Sequence, residues 1–257
     1  MPGNRPTNLR SGDRAESLGL LFLQSIAVLA PVPREEDVGI DAVATLVRDD
    51  GKGRLIAENS FYVQIKAKSV REIVYSGDEI RWLRQLQLPL FFGSVDLQAS
   101  QVELYFGHVL SHVFVTPENP AKLILHLDPV DISQFTAEEG HHENLGVPIL
   151  SWGIAQNTSP NFHATAHSVL KSAIEEEQRN LKFRSIHWVE PIEWETGGPV
   201  TIGVGSMQVR PPEAEFKTFG RDLMPFLMQV SFEAWLRRDE RDLQRILEFA
   251  ELADERL

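Results

Sequence analysis

Three polar residues, Asp41, Gln64 and Lys66, stand in stretches that are otherwise rich in apolar residues. Gln64 and Lys66 are two apart in "FYVQIKAKS", so on a β-strand both side chains leave the same face. Asp41 lies in "DVGIDAVATLV", and antiparallel pairing of the two stretches would bring it to the same place. A carboxylate, an amide oxygen and the backbone carbonyl of Ile65 are oxygen ligands of the kind that Mg²⁺ prefers. Lys66 would then hold a water molecule or stabilise charge that develops on a phosphate group.

Each of these residues also has a purely structural interpretation. Asp41 could begin a strand after a glycine turn, Gln64 could bond a neighbour at a sheet edge, and Lys66 could be solvated on an outer face. The joint pattern favours a site, because two polar side chains stand where alternation requires burial. Such departures from the local pattern tend to mark functional positions.

A helix and a hairpin are the elements that must position these residues. Apolar residues at three- and four-residue steps predict a helix over residues 13–30, which Pro31 ends. Glu16 lies on or beside the apolar stripe of this helix. Residues 39–47 and 57–69 alternate as strands do, and the intervening "RDDGKGRL" is typical of a turn. The sequence therefore predicts two antiparallel strands preceded by a helix.

Further elements follow in an alternating order along the rest of the chain. A helical segment contains "DEIRWLRQLQ", and the continuous apolar run "LPLFFGSVD" predicts a strand that is buried on both faces. Residues 162–183 predict a long helix, residues 186–194 and 199–209 predict strands, and residues 216–257 predict helix with Pro225 near a boundary or kink. This order indicates an α/β protein.

Composition limits the classes of protein to which the chain can belong. Its 257 residues, 42% of them hydrophobic, fit one large domain or a domain with an appendage. The 25 basic and 37 acidic residues give a net charge of −12, which argues against a general attraction to nucleic acid or anionic membranes but leaves room for a local basic groove. Because cysteine is absent, disulfides, zinc–thiolate sites and cysteine nucleophiles are excluded. The apolar run from Leu18 is shorter than the roughly 20 residues of a membrane span, so we expect a soluble cytoplasmic protein.

In its order of motifs the chain resembles the PD-(D/E)XK, or restriction-endonuclease-like, nuclease superfamily. The resemblance rests on a helix with Glu16, "DVGIDA", a hairpin, "FYVQIKAKS", a helix with "RWL" and the strand "LPLFFGSVD". Within the superfamily the chain looks like the DUF4365 family, and its G-x-D and Q-x-K motifs are also similar to those of Mrr-like nucleases. The similarity covers roughly residues 10–130. It implies a restriction-endonuclease-like core, with a mixed central sheet flanked by helices, in residues 1–135, and an α+β extension of unknown role in residues 136–257.

The resemblance also implies a role for each motif residue. Asp41 would be the metal-binding aspartate, Gln64 the second ligand, Lys66 the catalytic lysine and Glu16 the acid of the first helix. The implied activity is that of a Mg²⁺- or Mn²⁺-dependent endonuclease that cuts DNA, or RNA, as the effector of a bacterial antiviral defence or restriction module with a partner protein. Gln64 departs from the acidic residue usual at its position, which lowers the negative charge of the site. Asp37 also fits the D-x-G-x-D form, although its side chain could serve the turn instead.

Two further expectations concern partners. A basic groove that holds the nucleic-acid backbone could form from Lys68, Arg71, Arg81 and Arg84. As an alternative function, the chain could keep the nuclease fold without turnover and act as a binding or assembly subunit. Its last helical region carries apolar residues between positions 223 and 236, which could dock on a partner, dock on a second copy of the chain or pack on their own domain.

The histidines are weaker candidates for a metal site. His141, His142 and Glu143 are adjacent, and because adjacent residues point to different faces of regular structure, we interpret them as part of a loop. His163 and His167 are four apart on a predicted helix and could share a metal ion. They lack the acidic partner usual in zinc hydrolases, which favours a polar helix face.

Overall fold

The structure, a computed structural model, describes residues 7–33, 39–115, 118–184, 189–190, 192–195, 198–201 and 226–254. The helices are α1 (Thr7–Leu23), α2 (Asp78–Gln85), α3 (Val109–Val113), α4 (Ile154–Asn157), α5 (Pro160–Phe183), α6 (described over residues 226–236) and α7 (Glu240–Asp254). The strands are β1 (Ala27–Pro31), β2 (Ala42–Asp49), β3 (Leu55–Ala67), β4 (Glu72–Ser76), β5 (Leu90–Asp96), β6 (Gln101–Phe106), β7 (Lys122–His126), β8 (His141–Asn144), β9 (Leu150–Gly153), β10 (Ile192–Glu195) and β11 (Gly198–Thr201).

A six-stranded mixed sheet in the order β1-β2-β3-β5-β6-β9 forms the centre of the fold. Strands β1, β2 and β3 pair antiparallel, β3 and β5 pair parallel, and β5, β6 and β9 pair antiparallel. A second sheet has the order β4-β7-β8, and β10 and β11 form a short hairpin. The chain therefore has an α/β fold with a mixed sheet flanked by helices, as the sequence predicts.

Two apolar clusters lie on opposite faces of the central sheet. On one face, residues such as Ile65 and Phe91 pack with residues of α1 and α5. On the other face, Phe92 packs with residues of α2, α3 and the second sheet. Because neighbouring residues on a strand point to opposite faces, Phe91 and Phe92 belong to different clusters and β5 is buried on both sides. The predicted doubly buried strand is confirmed.

The first helix begins and ends earlier in the sequence than its apolar pattern predicts, since it begins at Thr7 rather than at Asp13. It ends at Leu23 rather than at residue 30, and Ala27–Pro31 form β1 instead. A turn separates the two elements, and within it the Ser25 hydroxyl donates a hydrogen bond of 2.7 Å to the carbonyl of Phe22. A short apolar run can be helix or strand by its periodicity alone, and pairing with β2 selects strand here. The prediction of helix for residues 24–30 was therefore wrong.

Residues beyond the predicted boundary at position 135 contribute to both sheets. Strand β8 pairs parallel with β7 in the second sheet, and β9 pairs antiparallel with β6 at one edge of the central sheet. Helix α5, which the sequence predicts, packs against β2 and β3. The strand predicted over residues 199–209 is described only as far as Thr201, and Pro225 lies outside the described residues. None of the described helices has an apolar stretch sufficient to span a membrane.

Candidate functional site

The β2–β3 hairpin places Asp41 beside the backbone of Ile65. Within the hairpin, Ala42 lies opposite Val63. Asp41 immediately precedes β2, and its backbone N–H donates a 2.9 Å hydrogen bond to the carbonyl of Val63. The Asp41 carboxylate then accepts a hydrogen bond from the N–H of Ile65. A side-chain oxygen of Asp41 thus accepts the hydrogen bond that a backbone carbonyl would accept within the paired strands. This hydrogen bond holds the carboxylate against the peptide that joins Gln64 to Ile65.

Gln64 is a buried polar residue with a defined hydrogen-bond partner. Its side chain is 5% exposed, and its amide oxygen Oε1 accepts a 2.6 Å hydrogen bond from the hydroxyl of Tyr75. Tyr75 belongs to β4 of the second sheet and is itself 3% exposed. The amide nitrogen Nε2 lies 3.6 Å from the position that a Cβ atom would take on Gly39. The amide therefore turns its oxygen towards Tyr75 and its nitrogen towards the turn that precedes Asp41.

The environment of Tyr75 keeps its hydroxyl protonated. Burial raises the pKa of Tyr75 far above its ordinary value, and the negative charges of Glu79 and Asp41 raise the pKa further. A neutral phenol has one proton to donate, and Gln64 Oε1 receives it here. The hydroxyl of Tyr75 thus stays a hydrogen-bond donor to the side-chain amide of Gln64.

The turn that precedes Asp41 contains Gly39 and packs against the ring of Trp82. Gly39 has a φ of +96°, a backbone conformation that residues with a Cβ atom rarely adopt. The ring atom Cζ3 of Trp82, a half-buried residue of α2, lies 3.5 Å from the position that a Cβ would take on Gly39. The structure thus places the ring of Trp82 against the turn that carries Asp41.

Lys66 is half-buried on β3, opposite Ser94 of the neighbouring strand β5. Since side chains alternate along a strand, Lys66 leaves the same face as Gln64. The two residues therefore share a face, as predicted, with Ile65 pointing to the other one.

Helix α1 packs against the face of β3 that carries Ile65. The Cγ2 atom of Ile65 lies 2.9 Å from the position that a Cβ would take on Gly19, so the helix and the strand approach closely at this glycine. Glu16 is half-buried and lies one turn before Gly19. A hydrogen bond joins Asp41 to the backbone of Ile65, the residue that follows Gln64. Glu16 and Lys66 stay predicted members of the site, and α1 packs on the face of β3 opposite to the one that Gln64 and Lys66 share.

The donor atoms of this site are oxygens, the type of ligand that a hard divalent cation prefers. Asp41 offers a carboxylate, Ile65 a backbone carbonyl and Gln64 an amide oxygen with two lone pairs, one of which Tyr75 uses. In the part of the chain that the structure describes, no three His, Cys, Asp or Glu side chains form a metal-binding group. A cation bound here would therefore depend on Asp41 for charge and on neutral oxygens for its other protein ligands.

The four predicted phosphate-binding residues each have a local partner. Lys68 pairs with Asp96 at 3.4 Å, Arg71 pairs with Asp128 at 2.8 Å, Arg81 pairs with Asp78, and Arg84 donates a 2.9 Å hydrogen bond to Asn119. Three of the four cations thus face a carboxylate. A phosphate group that binds them has to compete with these carboxylates or share the cations with them.

His141, His142 and Glu143 lie on β8 rather than in the predicted loop. Parallel pairing with β7 makes these residues part of the second sheet. The short polar stretch that contains them does not predict this strand. His141 contacts Glu143 at 2.8 Å, and His142 contacts His126 at 2.9 Å. The adjacent histidines thus have different partners, as the expected alternation of faces requires.

His163 and His167 lie on α5, and each has its own partner. The Nε2 atom of His163 is 2.9 Å from the carbonyl oxygen of Asn157, and the Nε2 atom of His167 is 3.0 Å from a carboxylate oxygen of Glu58. These contacts agree with the predicted polar helix face.

Tyr75 is a residue of the candidate site that lies outside the motifs predicted from the sequence. Burial alternates along β4, with Ile73 and Tyr75 buried and Val74 exposed between them. Since Ile73 and Val74 are both apolar, the sequence of this strand does not by itself show that Tyr75 is buried and needs a hydrogen-bond partner.

Comparisons with known proteins add no relative on which an assignment could rest. No model of a protein family matches the chain, and neither a curated protein nor a solved structure matches it.

Proposed function

We propose that the chain is a metal-dependent endonuclease that hydrolyses phosphodiester bonds of DNA, with Mg²⁺ or Mn²⁺ as cofactor. One observation carries this proposal: the Asp41 carboxylate lies against the peptide that follows Gln64. Asp41 and Gln64 are far apart in sequence, yet the Asp41 carboxylate contacts the peptide that Gln64 forms with Ile65. The element order also supports a restriction-endonuclease-like core, since α1, the β2–β3 hairpin, α2 and the buried β5 occur in the order that the resemblance implies, with β1 and β4 between them.

Each residue of the site has a separate task in this proposal. Asp41, the Gln64 amide oxygen and the Ile65 carbonyl would hold the cation, with Glu16 as a further acid from α1. The bound cation supplies Lewis-acid chemistry that makes a water molecule a better nucleophile. Lys66 carries a positive charge on the face that Gln64 shares, where it orients a water molecule and stabilises negative charge that develops on the phosphate.

The charge of the chain supports a nuclease that has low activity by itself. The net charge of −12 and the ion pairs of Lys68, Arg71 and Arg81 leave little free positive charge to attract DNA. In this proposal a partner protein of a cytoplasmic defence or restriction module brings the nucleic acid to the site. RNA is the alternative substrate.

The test is a cleavage assay with the purified chain and Mg²⁺ or Mn²⁺. Plasmid, linear and single-stranded DNA, and RNA, are offered with and without the proteins encoded beside it. We expect the wild type to cut DNA, Lys66→Ala to lose cleavage, and Lys52→Ala, the same charge change in the exposed hairpin turn, to cut like the wild type. Equal background cleavage by all three proteins under every condition would rule the proposal out.

A second function, that of a catalytically silent binding or assembly subunit, is favoured by α6. Six large apolar side chains of this helix are exposed: Phe226, Met228, Val230, Phe232, Trp235 and Leu236. Exposed apolar residues in such density are typical of an interaction surface. Sedimentation of the wild type and of Trp235→Glu tests this function, which predicts an assembly that only the wild type forms.

A further inference from the structure

We infer that Tyr75 is a positioning residue of the site: its hydroxyl orients the side-chain amide of Gln64 so that the oxygen, not the nitrogen, is presented as a metal ligand. This inference rests on the proposed function. It deepens that proposal by assigning a role to a residue outside the sequence motifs. Tyr75 lies on β4 of the second sheet, whereas Gln64 lies on β3 of the central sheet.

The inference follows from a chemical difference between glutamine and the acid usual at this position. A carboxylate has two equivalent oxygens, so either orientation offers a ligand to a cation. An amide has one oxygen and one NH₂ group, and the NH₂ group cannot bind a cation. A neighbour that fixes the amide of a glutamine therefore determines which of its two ends faces the cation.

Tyr75 has the properties that this task requires. Its hydroxyl donates to Gln64 Oε1 at 2.6 Å, and both residues are buried, Gln64 to 5% and Tyr75 to 3% exposure. Donation uses one lone pair of the oxygen and leaves the second for a cation. The amide nitrogen is directed to the Gly39 turn, 3.6 Å from the Cβ position there.

The tyrosine is itself held firmly in place. On β4 it pairs with Leu123 of β7, and its side chain belongs to the apolar cluster between the two sheets. A donor on a paired strand with a buried ring has little freedom to follow the amide. The orientation of Gln64 is thus imposed from the second sheet.

The experiment measures Mn²⁺ affinity by isothermal titration calorimetry, independently of cleavage. Tyr75→Phe removes only the hydroxyl, and we expect it to weaken Mn²⁺ binding by at least about tenfold, as loss of an outer-shell hydrogen bond typically does. Tyr105→Phe is the matched control, because Tyr105 lies in the same apolar cluster and its hydroxyl contacts Glu103. We expect the control to bind Mn²⁺ like the wild type.

A second comparison separates orientation from general stability. In the Gln64→Glu background both ends of the side chain are oxygens, so Tyr75→Phe should weaken Mn²⁺ binding less than it does beside Gln64. A purely structural role of Tyr75 would cause the same loss in both backgrounds. Circular dichroism and thermal unfolding of all variants show whether the fold is retained, and the comparison within each background corrects for a common loss of stability.

Different results overturn the inference and the proposed function. If the wild type and Tyr75→Phe bind Mn²⁺ equally while Asp41→Ala does not bind it, the inference is wrong and the metal site stands. Equal losses in the two backgrounds also contradict the inference. If the wild type neither binds Mn²⁺ nor cuts DNA, the proposed function and the inference fail together.

Discussion

The carboxylate of Asp41 accepts a hydrogen bond from the backbone N–H of Ile65. One side chain therefore serves two purposes, because it completes the pairing of β2 with β3 and holds an anionic oxygen at the candidate metal site. The two contributions can be separated by substitutions that remove the charge with or without the hydrogen bond.

Asp41→Asn keeps a side-chain oxygen that can accept the Ile65 N–H but removes the charge. We expect its free energy of unfolding to stay within about 1 kcal/mol of the wild type, while Mn²⁺ binding and cleavage are lost. Asp41→Ala leaves the N–H without this acceptor and should cost about 1–3 kcal/mol of stability in addition. Urea denaturation and calorimetry measure the two effects. Undiminished Mn²⁺ binding by Asp41→Asn would show that Asp41 is not a ligand of the proposed metal site.

Gly39→Ala tests the turn before Asp41. Because Gly39 has a φ of +96°, an alanine there is strained, and we expect a loss of about 1–3 kcal/mol in the free energy of unfolding. Gly12→Ala is the matched control on α1, where a Cβ would meet nothing within 4 Å, and it should stabilise the chain by up to about 1 kcal/mol. Urea denaturation measures both changes. A Gly39→Ala variant as stable as Gly12→Ala would show that this turn tolerates a side chain.

Glu177 predicts an unusual dependence of stability on pH. This residue of α5 is 3% exposed, and it accepts a 2.6 Å hydrogen bond from the hydroxyl of Ser111. Burial raises its pKa from 4.5 to about 8. Between these two values the folded chain binds a proton that the unfolded chain has released, so the stabilising contribution of Glu177 falls as the pH rises.

Glu177→Gln keeps an acceptor for Ser111 and removes the titration. We expect the variant to gain stability relative to the wild type on going from about pH 5 to about pH 8, as measured by urea denaturation at several pH values. Glu176→Gln is the control on the same helix, since Glu176 pairs with Arg179 near the surface. Its pH profile should run parallel to that of the wild type. A parallel profile for Glu177→Gln as well would contradict the raised pKa of Glu177.

Asp96→Asn tests the basic groove. Lys68 loses its charged partner in this variant, while the Asn oxygen still accepts the hydrogen bonds that Gln98 and Ala99 donate to Asp96. We expect tighter DNA binding and a salt dependence that is steeper by about one phosphate contact. Fluorescence anisotropy at several salt concentrations measures both quantities.

Asp50→Asn is the control for this charge change, because Asp50 pairs with Arg54 in the hairpin turn, away from the groove. Lys68→Ala should cancel the gain when it is combined with Asp96→Asn. If Asp96→Asn and Asp50→Asn change DNA affinity equally, the effect reflects net charge alone and Lys68 does not contact the nucleic acid.

Patterns within short stretches of the sequence predicted the elements that carry most of the candidate site. The alternation of residues in "FYVQIKAKS" predicted β3, the glycines and aspartates of "RDDGKGRL" predicted its turn, and the apolar run before Asp96 predicted β5. Each of these signals arises within a few residues, because strand alternation and turn formation depend on neighbours in sequence. Once the hairpin was predicted, the proximity of Asp41 to Gln64 followed from antiparallel pairing.

Contacts between segments that are distant in sequence determine the elements and the site contacts that these local patterns did not predict. Residues 27–31 form a strand because they pair with β2. His141 and His142 lie on β8 because this strand pairs with β7. The sequence by itself determined which residues of the hairpin are polar and that Gln64 and Lys66 share a face. Only the tertiary structure decided that Tyr75 of the second sheet donates to the Gln64 amide and that Trp82 of α2 covers Gly39. Periodicity records which face of an element is buried, but not which distant element covers that face, since packing between elements depends on the shape of the whole core.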